Sequence, residues 1–271
     1  MCCGARYVGR IGLIGVQVIQ GPKVSSKYPR TARDLSDLRA ACKEYVLPGY
    51  WPKQPLFKKT DPIWTMGSCF ADNVREALIR HGVPCATAGV AERNNSPTLL
   101  RQFAEAFAKG QSDARDFIAT SKCAIITLGV AASQFQDDGA FVCSNENVGK
   151  WRTLSVAEAQ EDISASVASL RSVNQDLIIL LTVSPVPLNR SPWRPGTVTA
   201  DCISKSTLRV AVEQYLQTKP MGVGYWPAFE IVRWLGVHVP GMYAADDGLL
   251  RHVSNGVVDL VTGLFIEAYI A

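Results

Sequence analysis

The chain has few of the features that mark several common classes of protein. Its eight cysteines form no Cys-x-x-Cys pair and no spaced Cys/His cluster, which argues against a zinc site or a disulfide framework. No apolar stretch approaches the roughly 20 residues that a membrane-spanning helix requires. No glycine-rich phosphate-binding motif is present, and the lysines and arginines are scattered despite a net charge of +4. These absences disfavour a nucleotide-binding protein and a nucleic-acid binder.

The overall composition is that of an ordinary compact globular protein, with 47% hydrophobic and 19% charged residues. Cys85, Cys123 and Cys143 lie within apolar, strand-like runs and are expected to be small buried hydrophobes. Reduced thiols fit a cytoplasmic protein. A short apolar run behind Arg6 and Arg10 imitates a signal peptide only faintly, because no small-residue cleavage pattern follows it. We therefore expect a cytoplasmic protein that binds no metal and no cofactor.

Short apolar runs alternate with helical patterns after residue 61. Strands are predicted over 63–66, 83–90, 123–128, 177–183 and 222–226, and helices over 72–81 and 205–217 and from residues 97, 156 and 253. This alternation predicts an α/β domain with a doubly wound, mainly parallel five-stranded sheet flanked by helices, as in flavodoxin-like folds. Residues 61–271 are predicted to form this single domain. Residues 1–60 are predicted as an irregular lead-in packed on the core, with one helix over 31–43.

The first predicted strand ends in a segment that suits a nucleophile. Gly67 lets the backbone turn sharply, and Ser68 follows it at the start of a predicted helix. The N-terminus of that helix offers unpaired N–H groups and a partial positive charge where an oxyanion could form. In doubly wound sheets the active site lies outside the carboxyl ends of the strands, which is where Ser68 is predicted.

A serine nucleophile needs a base, and the chain offers three histidines. His81 ends the first predicted helix, where a cation is favoured by the helix dipole, and His238 has apolar neighbours. His252 follows Asp246 and Asp247 and precedes the last predicted helix, so it is the best candidate. Either aspartate could orient the imidazole, as the third member of a triad does, while the other starts a turn.

The segment Met66-Gly67-Ser68-Cys69-Phe70-Ala71 is similar to the motif that names the GSCFA domain, a relative of the SGNH/GDSL-type esterases. Further segments similar to family blocks lie at 126–129, 182–186, 204–209 and 225–230. The resemblance covers about residues 60–260. It implies an SGNH-hydrolase-like fold in which Ser68 is the nucleophile, His252 the base and Asp247 its orienting carboxylate.

The same resemblance implies an oxyanion hole with some departures from the family pattern. Gly89 matches the glycine of the second block, and the Ser68 backbone N–H is expected to be a further donor. The third block contains Gly129, but Ala131 stands where relatives usually have an asparagine. The missing donor is expected from one of four asparagines, namely Asn94, Asn95, Asn145 or Asn147.

Three further expectations concern residues around this predicted site. Glu230, at the end of the fifth predicted strand, is expected either to bind substrate or to cap the helix that follows. Cys69 is an alternative nucleophile, although a side chain that points into the core is the favoured interpretation. Asp247 and His252 are five residues apart, whereas the SGNH pattern separates them by three.

These residues leave three functions open. The leading one is a serine esterase that cleaves an O-acyl ester, expected to be a small molecule or a carbohydrate, through an acyl-enzyme. An O-acyltransferase of a sugar or polysaccharide would share the first half-reaction. A non-catalytic member of the fold that binds a glycan or a partner is favoured by the missing asparagine and by the stretched Asp–His spacing. No nucleic-acid or membrane partner is expected.

Overall fold

A computed structural model describes residues 27–87, 95–111, 114–142 and 149–271 of the chain. The strands in these ranges are β1 (Ile63–Gly67), β2 (Cys85–Thr87), β3 (Cys123–Leu128), β4 (Ala132–Phe135), β5 (Lys150–Thr153), β6 (Ile178–Val183) and β7 (Val223–Tyr225). The α-helices are α1 (Leu38–Ala41), α2 (Cys69–Arg80), α3 (Pro97–Ala108), α4 (Ala114–Thr120), α5 (Val156–Val173), α6 (Thr197–Gln217) and α7 (Asn255–Tyr269). None of the helices in the described ranges has the length and hydrophobicity needed to span a bilayer.

Five of these strands form one parallel sheet in the order β2-β1-β3-β6-β7. When only the strands of this sheet are numbered, their order is 2-1-3-4-5, as in flavodoxin-like, doubly wound sheets. The predicted fold class is therefore confirmed. Strands β1 and β3 are buried along their whole length, as continuous apolar runs in a parallel sheet should be. The carboxyl ends of β1, β3 and β6 lie side by side at one edge of the sheet.

Helices cover both faces of the sheet. On one face, α2 and α7 bury Phe70, Val74, Val258 and Phe265 in a shared hydrophobic cluster. On the other face, a second cluster is formed by side chains of α3, α5 and α6 together with the opposite side of the strands. Because each helix presents one apolar side to the sheet, the two clusters together enclose β1, β3 and β6.

The lead-in segment packs against the face covered by α2 and α7. Leu47 and Phe57 are buried in the same cluster, and Phe57 pairs with Ile270 in a short parallel bridge. The single helix predicted over 31–43 is wrong in detail, since the segment forms a 3₁₀ turn at Ala32–Leu35, α1, and a π-helical turn at Cys42–Val46.

The structure also contains elements that the sequence pattern did not predict. An antiparallel hairpin of β4 and β5 follows β3, and its short strands combine polar and apolar side chains instead of forming an apolar run. The short helix α4 was not predicted either. Helix α6 begins at Thr197, eight residues before the predicted start. Of the second predicted strand, 83–90, the structure has β2, and residues 88–90 lie outside the described ranges.

Candidate active site

The turn from β1 into α2 requires glycine. Gly67 has a φ of 135°, and a Cβ atom at this position would lie 2.1 Å from the backbone oxygen of Thr127. A side chain would therefore collide with the neighbouring strand β3, and the φ value is strained for any other residue. The turn delivers Ser68 to the N-cap of α2, at the carboxyl end of the sheet.

The Ser68 hydroxyl is buried, and it has no hydrogen-bond partner among the described residues. The residue is 6% exposed. It differs in this respect from Ser96, Ser155 and Ser254, which also stand at helix N-caps. Ser96 Oγ and Ser155 Oγ accept an N–H of their own helix and Ser254 Oγ accepts the Ala245 N–H, whereas Ser68 Oγ accepts no N–H of the described residues. The Ser68 hydroxyl is thus available for another interaction.

Gly129 brings Ser68 and Asn95 together. A Cβ atom on Gly129 would lie 3.5 Å from the Cβ of Ser68 and 3.0 Å from the Cβ of Asn95. Asn95 is 7% exposed, and its Oδ1 atom has no hydrogen-bond partner among the described residues. The absence of a side chain at Gly129 therefore lets a buried amide approach the serine.

Two backbone groups in this region are already engaged. The Ser68 N–H donates to the Thr127 carbonyl at 3.3 Å, and the Gly129 N–H donates to the Asn95 carbonyl at 2.9 Å. The expectation that the Ser68 N–H serves an oxyanion therefore disagrees with the geometry. Ala131 is buried, and its N–H donates to the hydroxyl of Ser204 at 2.8 Å.

The five other expected donors divide between described and undescribed residues. Asn95 is described and lies beside Ser68. Gly89, Asn94, Asn145 and Asn147 lie outside the described residues. Among the asparagines proposed to replace the one missing from the third block, Asn95 is therefore the candidate with supporting geometry.

Asp247 and His252 form a hydrogen-bonded pair. Asp247 Oδ2 lies 2.5 Å from His252 Nδ1, while Asp247 Oδ1 accepts the Leu249 N–H at 2.9 Å. These hydrogen bonds, from Leu249 first and then from His252, lower the pKa of the Asp247 carboxyl. Asp246 instead accepts the N–H of Asn255, the first residue of α7, at 2.7 Å. The two adjacent aspartates thus have separate partners.

The loop between the two residues explains their spacing. The Gly248 N–H donates to the Ala244 carbonyl, and the His252 N–H donates to the Leu249 carbonyl. The Ala244 N–H then closes the loop on the His252 carbonyl. Two consecutive turns therefore return the chain to Asp247, so a separation of five residues still permits the carboxylate–imidazole contact.

Ser68 forms no hydrogen bond with the Asp–His pair, since Ser68 Oγ has no partner among the described residues. The charge of Arg251, next to His252, acts on the thiol of Cys69, next to Ser68.

Cys69 is at the surface, so the expectation that it points into the core is wrong. Surrounding protein atoms nevertheless desolvate its thiol and raise its pKa, which disfavours a reactive thiolate.

A comparison with known families assigns the chain. The model of the GSCFA family matches residues 92–265, which is more than half of the chain. The chain belongs to the GSCFA family. The matched region includes Asn95, Gly129, Asp247 and His252, whereas Ser68 and the motif around it precede the match.

Solved structures similar to this GSCFA protein share little sequence with it. A candidate GDSL-like lipase from Parabacteroides merdae is 12% identical, with a TM-score of 0.46, over 80% of this chain and 98% of that one. A carbohydrate esterase family 2 enzyme from Corynascus thermopiles is 12% identical, with a TM-score of 0.43, over 80% of this chain and 67% of that one. An acetyl xylan esterase from Butyrivibrio proteoclasticus is 9% identical, with a TM-score of 0.43, over 80% of this chain and 64% of that one. No curated protein matches the chain.

Glu230, which the sequence left between substrate binding and helix capping, makes other contacts in this GSCFA protein. Its carboxylate accepts from Arg209 Nε at 2.6 Å and from the Tyr225 hydroxyl at 2.9 Å. The Arg209 guanidinium also lies over the Tyr225 ring, 4.5 Å from its centroid. These contacts join α6 to β7 and favour a structural role for Glu230.

Sequence reasoning missed Lys205 as a residue of this region. Lys205, on α6, is 2% exposed and donates from Nζ to the Gly129 carbonyl at 2.6 Å. Burial lowers its pKa to about 8. The available signal was its position in the segment 204–209, which resembles a family block, but nothing in that segment shows that a lysine will be buried.

Proposed function

We propose that this GSCFA protein is a serine esterase that cleaves an O-acyl ester through an acyl-enzyme. The observation that carries the proposal is the hydroxyl of Ser68, which is buried, uncommitted and held at the N-terminus of α2. The Asn95 amide beside it and the hydrogen-bonded Asp247–His252 pair supply the other groups that acyl transfer by serine needs.

In the first half-reaction, Ser68 Oγ attacks the ester carbonyl carbon while its proton passes to Nε2 of His252. The tetrahedral intermediate collapses as the carbon–oxygen bond to the alcohol breaks, and His252 returns the proton to the departing alcohol. The acyl group is then bound to Ser68. In the second half-reaction, water attacks the acyl-enzyme with His252 again as base, which releases the acid and restores Ser68.

The supporting residues have distinct contributions. Asp247 holds the imidazole by Nδ1, which leaves Nε2 free to face the serine and stabilises the charged ring during proton transfer. The Asn95 amide and the positive end of α2 would stabilise the oxyanion. Catalytic hydrogen bonds are often long before substrate binds, so closure of His252 on Ser68 belongs to the substrate complex.

The resemblance to SGNH/GDSL-type esterases extends the proposal to carbohydrate-linked esters as the substrate class. If a sugar hydroxyl replaced water in the second half-reaction, the same acyl-enzyme would make the protein an O-acyltransferase. The two activities share every residue named above, so they differ only in the acceptor that reaches the acylated Ser68.

The test is covalent labelling with a fluorophosphonate probe, which reacts with activated serines. We expect the wild-type protein to be labelled, Ser68→Ala to be unlabelled, and His252→Ala to be labelled at least about a hundredfold more slowly, because a general base is lost. His81→Ala is the matched histidine control, and Cys69→Ala checks that the neighbouring thiol is not the labelled group. Both controls should react like the wild type.

Two results would contradict the proposal. One is a folded wild-type protein, verified by circular dichroism, that the probe does not label. The other is labelling that persists in Ser68→Ala. Either result would favour a non-catalytic GSCFA protein that binds a glycan or a partner. The absence of a hydrogen bond between Ser68 Oγ and His252 would then support that function.

A further inference from the structure

Lys205 is an unusual buried charge. Lysine side chains are almost never fully buried unless they are paired, yet Lys205 is 2% exposed and forms no ion pair within 4 Å among the described residues. The nearest acidic group to influence it is Asp201, whose carboxylate is held by Arg233 at 2.8 Å and by the Leu188 N–H at 3.0 Å. Keeping an ammonium group there opposes folding, so its position calls for an explanation other than stability.

The ammonium group is directed at the backbone next to the candidate nucleophile. Lys205 Nζ donates to the Gly129 carbonyl at 2.6 Å. The Cα of the same glycine faces the side chains of Ser68 and Asn95, and its N–H is bonded to the Asn95 carbonyl. A displacement of Gly129 would therefore change the separation between the serine and the amide.

The residue before Lys205 contacts the same segment. Ser204 is fully buried, and its hydroxyl accepts the N–H of Ala131 at 2.8 Å. Two consecutive residues of α6 thus hold the stretch 129–131, which leaves β3 and enters the β4–β5 hairpin. Of the two contacts, that of Lys205 is the one directed at the glycine between Ser68 and Asn95.

We propose that Lys205 is a positioning residue for the reaction of Ser68, because its ammonium group fixes the Gly129 carbonyl and thereby the placement of Ser68 relative to Asn95. This inference rests on the proposed esterase function. The same ammonium group also acts electrostatically on the thiol of Cys69, the residue after Ser68.

The proposal implies a particular pH dependence. Burial lowers the pKa of Lys205 to about 8; the charge of Asp201 opposes this shift, that of Arg233 adds to it, and Cys69 opposes it weakly. The protonated form, which donates to Gly129, therefore predominates below about pH 8 and is lost above it. The rate of labelling of Ser68 should accordingly fall as the pH rises through about 8.

The experiment measures the rate of Ser68-dependent fluorophosphonate labelling between about pH 6 and pH 10. We expect Lys205→Met to react ~10- to 100-fold more slowly than the wild type near neutral pH, because small misplacements of reacting groups are costly. The labelling rate of Lys205→Met should also show no decline near pH 8. Lys205→Arg, which stays charged at every pH tested, should recover part of the rate and show no such decline. Lys122→Met, an exposed lysine at the opposite end of β3, should behave like the wild type.

The outcomes separate this inference from the proposed function. Ser68-dependent labelling of Lys205→Met at the wild-type rate would overturn the role of Lys205 and leave the esterase proposal intact. A wild-type protein that is not labelled would overturn both. If Lys205→Met does not fold, Lys205→Arg decides, since a decline with pH like that of the wild type would exclude Lys205 as the group concerned.

Discussion

Two adjacent aspartates show how much depends on single residues at this site. Asp247 contacts the imidazole of His252, whereas Asp246 accepts the first N–H of α7. The sequence identified both as candidates but could not divide the roles, because the division depends on how the loop between Ala244 and His252 folds. The two turns of that loop direct one carboxylate to the ring and the other to the helix.

Replacing Asp247 with asparagine should slow the reaction of Ser68 with little effect on folding. An asparagine preserves the shape but neither favours the correct tautomer of His252 nor stabilises its charged form, so we expect a loss of about 10³- to 10⁴-fold. The measurement is the rate of fluorophosphonate labelling at neutral pH. Asp246→Asn is the matched control, since an asparagine oxygen can still accept the Asn255 N–H, and it should react at nearly the wild-type rate. Equal rates for wild type and Asp247→Asn would exclude Asp247 from the mechanism.

The residues of the candidate site differ in how far the sequence could predict them. Ser68, Asp247 and His252 follow from motif, chain order and the scarcity of histidine, and their catalytic roles remain predictions. The surroundings of Ser68 could not be predicted, because they depend on contacts between distant segments. The buried lysine at 205, the engaged N–H of Ser68 and the surface position of Cys69 are all of this kind.

Among the elements, α5 has the best-defined start. Ser155 and Glu158 form a reciprocal capping box, and Glu158 also pairs with Arg152 of β5 at 2.7 Å. These contacts, with the Arg152 hydrogen bonds as the largest cause, lower the pKa of Glu158 to about 2. The ion pair therefore connects the β4–β5 hairpin to the helix that follows it.

Glu158→Gln should lower the free energy of unfolding at neutral pH by up to about 1 kcal/mol, a small value because the pair is partly exposed and screened. The depressed pKa gives stability that is fully present above the unfolded value, near 4.5, and is lost as the pH falls towards 2. The difference between variant and wild type should therefore shrink on acidification. Urea unfolding at pH 7 and at about pH 3 measures it.

Glu161→Gln is the control for that comparison, because Glu161 is exposed on the same helix. It should change the free energy of unfolding little at either pH. If the loss of unfolding free energy in Glu158→Gln does not change with pH, the carboxylate charge is not what stabilises α5.

The elements that sequence predicted best are those with a strong local pattern. The bounds of β3 match the prediction because every residue of the strand is buried and all but Thr127 are apolar. The β4–β5 hairpin was missed because its strands are short and mix polar with apolar side chains, and the first two turns of α6 were missed because Thr, Asp and Ser alternate there with apolar residues. Their positions depend on contacts with the sheet rather than on local periodicity.

At the scale of the whole molecule, the lead-in segment belongs to one of the two clusters that enclose the sheet. Phe57 is buried in the same cluster as side chains of α2 and α7, and it stacks on Tyr269. Its backbone N–H donates to the Tyr269 carbonyl, and its carbonyl accepts the Ala271 N–H. The N-terminal part of the described chain is therefore packed against the last helix.

Phe57→Ala should lower the free energy of unfolding by about 3–5 kcal/mol, since a large buried aromatic side chain leaves a cavity when it is removed. Urea unfolding followed by circular dichroism measures the change. Phe117→Ala is the matched control because Phe117 is 50% exposed, and its effect should be small. A Phe57→Ala variant as stable as Phe117→Ala would mean that the lead-in contributes little to the fold.

The packing of α2 against α7 determines when, during folding, Ser68 can acquire its proposed reactivity. Ser68 begins α2, His252 lies just before α7, and Arg80 of one helix pairs with Asp259 of the other at 2.6 Å. The proposed nucleophile and base are thus far apart in sequence and can meet only after the intervening strands have joined the sheet, and such long-range contacts form slowly during folding. Reactivity at Ser68 would then appear late during refolding. The extent of labelling would measure the fraction of molecules in which the whole sheet has formed.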